Sequence, residues 1–183
     1  MQRKQEPSND PYETLETVPL DLKSIQRLYD QDNIPTNTPL KFSWLGHAAV
    51  LITAPGLNIL FDPCLSDRCS PVSFAGPKRL HPIPCSIDEL PKPDAIVLSH
   101  SHYDHTDLPM LKRIAAPHTQ FFVPLGMGLI LQSVGFFNVA EGDWWDSFEF
   151  EKREASGRVR KATIGMFFCI SGHHFNRTHF AQC

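Results

Sequence analysis

The spacing of apolar positions changes several times along the chain, and each change predicts an element. Residues 1–36 are polar and rich in Pro, Asn, Asp and Glu, and they read as a mobile arm with one short helix around Leu20 to Tyr29. From Leu40 the stretch KFSWLGHAAVLITA is rich in aromatic and β-branched residues, which predicts two short strand pieces. Pro55-Gly56 is a turn signal, and Leu57 to Phe61 predicts the next strand. Residues 63–93 are crowded with Pro, Ser and Cys and have no clear period, as expected of a loop with a functional role. The apolar run Ala95 to Leu98 predicts a buried strand. Asp107 can cap a helix carrying Leu108, Met110, Leu111 and Ile114, with Pro109 tolerated in its first turn. TQFFVP predicts a further buried strand, and GMGLILQSVG a short helix closed by Gly135. SFEFEKRE alternates as a half-exposed strand does, and RVRKATIGMFFCI alternates before becoming wholly apolar, as a strand entering a core would. The order predicts an α/β chain with helices packed on a mixed sheet.

Composition narrows the classes of function. The chain has 183 residues and 42% apolar content, which suits one domain, or one domain with a tail. A net charge of −3 with scattered Lys and Arg gives no footprint for nucleic acid. Five cysteines, with no secretory leader pattern, predict reduced thiols and an intracellular chain, cytoplasmic or peripheral to a membrane. Cys64, Cys69 and Cys85 with His81 lack the tight ligand pairs of a structural zinc knuckle and read as ordinary thiols. No apolar run reaches the length of a membrane span.

The chemistry concentrates directly after the strand at Ala95. His100, His102, Asp104 and His105 fall within six residues, in VLSHSHYDHTDL. Imidazoles and a carboxylate that converge from a loop at the end of a strand suit zinc, manganese or iron. This density predicts a hydrolytic centre with one or two metal ions.

HSHYDH resembles the HxHxDH signature of the metallo-β-lactamase superfamily. The blocks WLGHAAVLI, ILFDPCLSDRCSP, GPKRLHPIPCSIDELPKPDAIVLSHSHYDH, FFVPLG and NVAEGDWWDSF are similar, in order, to the branch of N-acylphosphatidylethanolamine-hydrolysing phospholipases D. The likeness runs from about Phe42 to Phe148. It implies an αββα sandwich with metals at the sheet edges. It also implies two zinc ions: His100 and His102 for the first, Asp104 and His105 for the second, with Asp104 the catalytic carboxylate of the set. The third ligand of the first ion would be His173 or His174, in CISGHHFNRT. His47 and Asp62 match family blocks; they would line the site or brace a ligand, or be a satisfied loop histidine and a turn aspartate. Trp144 and Trp145 read as core or cleft wall. The implied substrate is a phospholipid, with peripheral membrane contact and an allowed association with mitochondria.

The resemblance is partial. The family's later GDTG-like turn and final His have no counterpart here, so residues 37–183 read as the first half of the sandwich, a partial domain with an incomplete second metal site. Such a chain is expected to be a poor catalyst alone, unless a homodimer rebuilds the site. A hydrolase of another ester or lactone, or a non-catalytic remnant that binds metal or lipid, are the alternative readings.

Overall fold

A computed structural model describes residues 17–31, 39–70, 74–154 and 156–166. The elements run α1 (Leu22–Tyr29), β1 (Lys41–Gly46), β2 (Ala49–Ala54), β3 (Leu57–Phe61), β4 (Ala95–Val97), α2 (Leu108–Ile114), β5 (Gln120–Pro124), α3 (Gly128–Ser133), β6 (Val139–Gly142), β7 (Ser147–Arg153) and β8 (Val159–Gly165), with one 3-10 turn at Ile87–Glu89.

Strands β1 to β6 form one six-stranded sheet in sequence order. The first three pair antiparallel through tight turns, and β3 to β6 pair parallel. The switch follows from the connections: two-residue turns return a strand antiparallel, whereas the loop after β3 and the helices after β4 and β5 bring the next strand in parallel. The fold is the mixed α/β sheet that the order of elements predicts.

Alternation along the strands sends side chains to two cores. One face carries Leu45, Leu51, Leu60, Ile96, Leu98, Phe121 and Val123, packed under Ile25 of α1, Met110, Leu111 and Ile114 of α2 and Leu131 of α3. The other carries Ile59, Ala95, Val97 and Phe122, covered by Ile164 with Phe148 and Phe150 of the β7–β8 hairpin. The layers are therefore helices, sheet and hairpin. On the hairpin side, register aligns Phe42 with Ile52 and Ile59, and Trp44 with Val50 and Phe61. Phe42 and Trp44, at the β1 edge of that face, are exposed.

The helix predicted around Leu20 to Tyr29 is α1, and it is docked on the sheet: Asp21 caps it by accepting from Ser24 N, Ile25 is fully buried, and Gly56 N donates to the Tyr29 carbonyl. Trp145 is three-quarters exposed, at a turn with φ 70°, so it is not a core residue. Strand β6 has no signal in the apolar pattern, because Val139–Gly142 is a short edge strand of mixed burial.

Candidate metal centre

The register brings three chain segments to one end of the sheet. Trp44 lies opposite Val50, Val50 opposite Phe61, and Phe61 opposite Val97, so β1, β3 and β4 all end on the same side. The residues just beyond those ends are His47, Asp62 and the segment from Ser99 to His105.

Each segment is bent into place. The β1–β2 turn holds Gly46 at φ 105° and His47 at φ 50°, and Trp44 Nε1 donates to the His47 carbonyl at 2.8 Å. Asp62 leaves β3 at φ 40°. Left-handed backbone is costly for residues other than glycine and clusters at functional sites. After β4 the chain turns back on itself, with His105 N and Thr106 N both donating to the His102 carbonyl and Thr106 Oγ1 donating to the His100 carbonyl at 2.6 Å. Asp107 then caps α2, as the sequence predicts, accepting from Met110 N at 3.1 Å. Its other oxygen accepts from Ser66 N and ties the cluster loop to the long loop after β3.

Four of the residues singled out in the sequence come together: His100, His102, Asp104 and His105. Their donor atoms form two groups, His100–His102–Asp104 and His47–Asp104–His105, each with ligand atoms within 4.8 Å of one another. Asp104 offers a carboxylate oxygen to both groups. His47 Nε2 lies 3.0 Å from Asp104 Oδ2, and His105 Nε2 lies 3.6 Å from the same oxygen. His47 is thus placed as a ligand candidate and not only as a brace. His173 and His174 lie outside the described residues.

Asp62 works from behind the cluster. It accepts from Ser99 N at 2.7 Å, from Ser99 Oγ at 2.6 Å and from His105 Nδ1 at 2.9 Å. A carboxylate only accepts, so His105 Nδ1 carries the proton of this bond and Nε2 is the nitrogen turned to the site. Ser99 Oγ also stands 2.9 Å from His100 Nδ1.

The electrostatics favour cation binding. Burial, with His105 and His102 alongside, lowers the His100 pKa and keeps that imidazole neutral, the form that ligates. Burial alone would raise the Asp104 pKa, but its own backbone N–H, His105 and His47 outweigh burial and hold the carboxyl below its ordinary value. Imidazoles grouped around one ionised carboxylate suit zinc or another divalent transition ion. Among the described residues neither metal-binding group includes a cysteine.

A cavity of about 880 Å³ opens at the cluster, with His47, His102 and Asp104 among its lining residues. Lys78 and Arg79 supply positive charge to its wall, and Trp44, Leu80, Tyr103 and Ile130 supply apolar surface. The long loop after β3, opaque to pattern reading, forms one side of this cavity.

Residues 57–180 match the family described as the beta-lactamase superfamily domain. The N-acyl-phosphatidylethanolamine-hydrolyzing phospholipase D 1 of Caenorhabditis elegans is 41% identical over 128 residues, 66% of this chain and 36% of that protein. The mitochondrial N-acyl-phosphatidylethanolamine-hydrolyzing phospholipase D of Saccharomyces cerevisiae is 35% identical over 140 residues, 74% of this chain and 30% of that one. The chain spans about a third of the length of the curated relatives it matches. Igni18, a metallo hydrolase from Ignicoccus hospitalis, aligns over 69% of this chain and 55% of its own with a TM-score of 0.43 and 17% identity.

Proposed function

This chain belongs to the beta-lactamase superfamily, and from that premise we propose that it carries the metal-binding part of a zinc-dependent, phospholipase D-type phosphodiesterase that releases N-acylethanolamine from N-acylphosphatidylethanolamine. The observation that carries the reading is the sharing of Asp104 between two ligand groups. A pair of ions held there supplies Lewis acidity and lowers the pKa of water, which is what hydrolysis of a phosphodiester at neutral pH requires.

The chain's own residues supply position and charge. His100 and His102 would hold one ion and His47 and His105 the other, with Asp104 available to both groups. Asp62 fixes the His105 ring and, through Ser99, the approach to His100. Lys78 and Arg79 on the cavity wall suit an anionic phosphate. Trp44, Leu80, Tyr103 and Ile130 suit the apolar chains of a lipid, which supports a phospholipid over a small polar ester. Leu80 and Tyr103 are more than half exposed, consistent with peripheral contact at a lipid surface. Among the described residues no helix is long and apolar enough to cross a membrane. The membrane would be intracellular, and mitochondrial if the chain follows the name of its yeast relative.

The test is hydrolysis of N-acylphosphatidylethanolamine by the protein, with both products followed by mass spectrometry. N-acylethanolamine and phosphatidic acid are expected with zinc, and neither is expected from His102→Ala. Cleavage of a carboxylic ester or lactone, with the phosphodiester left intact, would replace this reading with that of another hydrolase.

A further inference from the structure

The loop after β3 holds a pair of thiols that the metal chemistry does not use. Cys64 is fully buried and Cys69 half-buried, and their sulfurs stand 3.1 Å apart as free thiols. Cys69 lines the cavity at the cluster. The same loop is folded against itself: Arg68 bridges to Lys78, Cys69 N donates to the Pro77 carbonyl, and Arg79 N donates to the Asp67 carbonyl at 2.7 Å. The Arg79 guanidinium also donates to the Cys64 carbonyl. The two thiols therefore sit at the root and at the cavity face of a wall that carries Lys78 and Arg79.

We propose that Cys64 and Cys69 are a redox pair, whose reversible disulfide fastens the loop that walls the cavity. Bonding needs the sulfurs to close by about 1 Å, to a length of about 2.05 Å, a small movement for a half-exposed loop residue. A hydroperoxide is the class of oxidant that fits. With hydrogen peroxide, Cys69 at the cavity attacks the O–O bond, becoming a sulfenic acid and releasing one water. The Cys64 sulfur then displaces the second water as the S–S bond forms. Two S–H bonds and one O–O bond break, two electrons pass from sulfur to oxygen, and the products are one disulfide and two waters. A dithiol reverses the step by exchange. Burial keeps Cys64 protonated at rest, its pKa being raised by its surroundings and by the neighbouring Cys69. Cys69 is accordingly the group that meets the oxidant first.

The sequence makes the test direct, because Arg68 lies between the two cysteines and trypsin cuts after it. The 183-residue chain, reduced and loaded with zinc, is treated with stoichiometric hydrogen peroxide, blocked with iodoacetamide, and digested. Peptides 42–68 and 69–78 are expected to run joined, about 2 Da lighter than their sum, and to separate with dithiothreitol. Cys69→Ser should leave them separate. In the folded chain, tryptic cutting at Lys78 and Arg79 should slow by at least about threefold on oxidation, and not in Cys69→Ser. Linkage of either cysteine to Cys85, Cys169 or Cys183, or oxygen accumulating on Cys69 with no link, would overturn the pairing. Unchanged cutting in the linked form would overturn the fastening. These readouts need no lipid hydrolysis, so they stand or fall separately from the phospholipase reading.

Discussion

Asp62 Oδ2 accepts from His105 Nδ1 at 2.9 Å, across 43 residues of sequence, and this bond decides which nitrogen of His105 faces the cluster. Both side chains are largely buried, at 19% exposure for His105 and 12% for Asp62. The bond is therefore shielded from water, and Ser99 holds the carboxylate from its other side.

Replacing Asp62 with Asn should weaken metal binding without unfolding the chain. The amide oxygen can still accept from Ser99 N, but the NH2 that then faces His105 Nδ1 cannot accept its N–H. Loss of such a partner behind a ligand costs about 10- to 100-fold in metal affinity. Zinc affinity measured by chelator competition checks this, and wild-type affinity in the variant would remove Asp62 from the account.

Gly46→Ala should disturb the site from the backbone. Gly46 has φ 105°, and an added Cβ would stand 2.7 Å from Arg79 Nη1. The left-handed conformation alone costs a residue with a side chain about 1–2 kcal/mol. The strain falls on the turn that carries His47. A lowered melting temperature together with weaker zinc binding is expected. A lower melting temperature with zinc affinity intact would mean that the turn does not position His47.

The β7–β8 hairpin should loosen at high pH. Lys152 Nζ pairs with the buried Asp94 carboxylate at 2.7 Å and donates to the Gly56 carbonyl and to Tyr29 Oη. Burial alone would lower the Lys152 pKa, but Asp94 and Tyr29 outweigh burial and raise it above the ordinary 10.5. A raised lysine pKa contributes stability in full below pH 10.5, and that contribution is lost as pH climbs through the folded value. Lys152→Met, which leaves the buried Asp94 carboxylate with Asn58 N and the more distant His118 ring but without its ammonium partner, should cost about 3 kcal/mol at pH 8. Its deficit against wild type should shrink above pH 10.5. Thermal melts of both chains at pH 8 and pH 11 test the sign, and a gap that widens with pH would contradict it.

The parts legible in the sequence are those whose signal is local. Ala95–Val97 and Gln120–Pro124 are apolar runs because their strands are buried on both faces, and Asp107 announces α2 because a cap sits beside its helix. The HSHYDH segment is legible for the same reason: four donors lie within one turn of chain. His47 is different. Its partner Asp104 is 57 residues away, and only the register of β1, β2, β3 and β4 sets them at the same end of the sheet. The resemblance marks His47 as lining the site or bracing a ligand, but its place beside Asp104 needed the sheet. The second face was illegible for a related reason. SFEFEKRE alternates as any half-exposed strand does, and nothing in it names Phe122 as the residue that Phe148 and Phe150 cover.

Metal content tests the central claim most directly, because the account assigns two ions to two groups that share one carboxylate. The chain should be saturated with zinc, separated from free metal, and measured by elemental analysis beside His47→Ala, His102→Ala and Asp104→Ala. The account predicts about two zinc ions per wild-type chain, about one in each histidine variant, and a loss at both groups when Asp104 is removed. Wild-type zinc content in all three folded variants would contradict it.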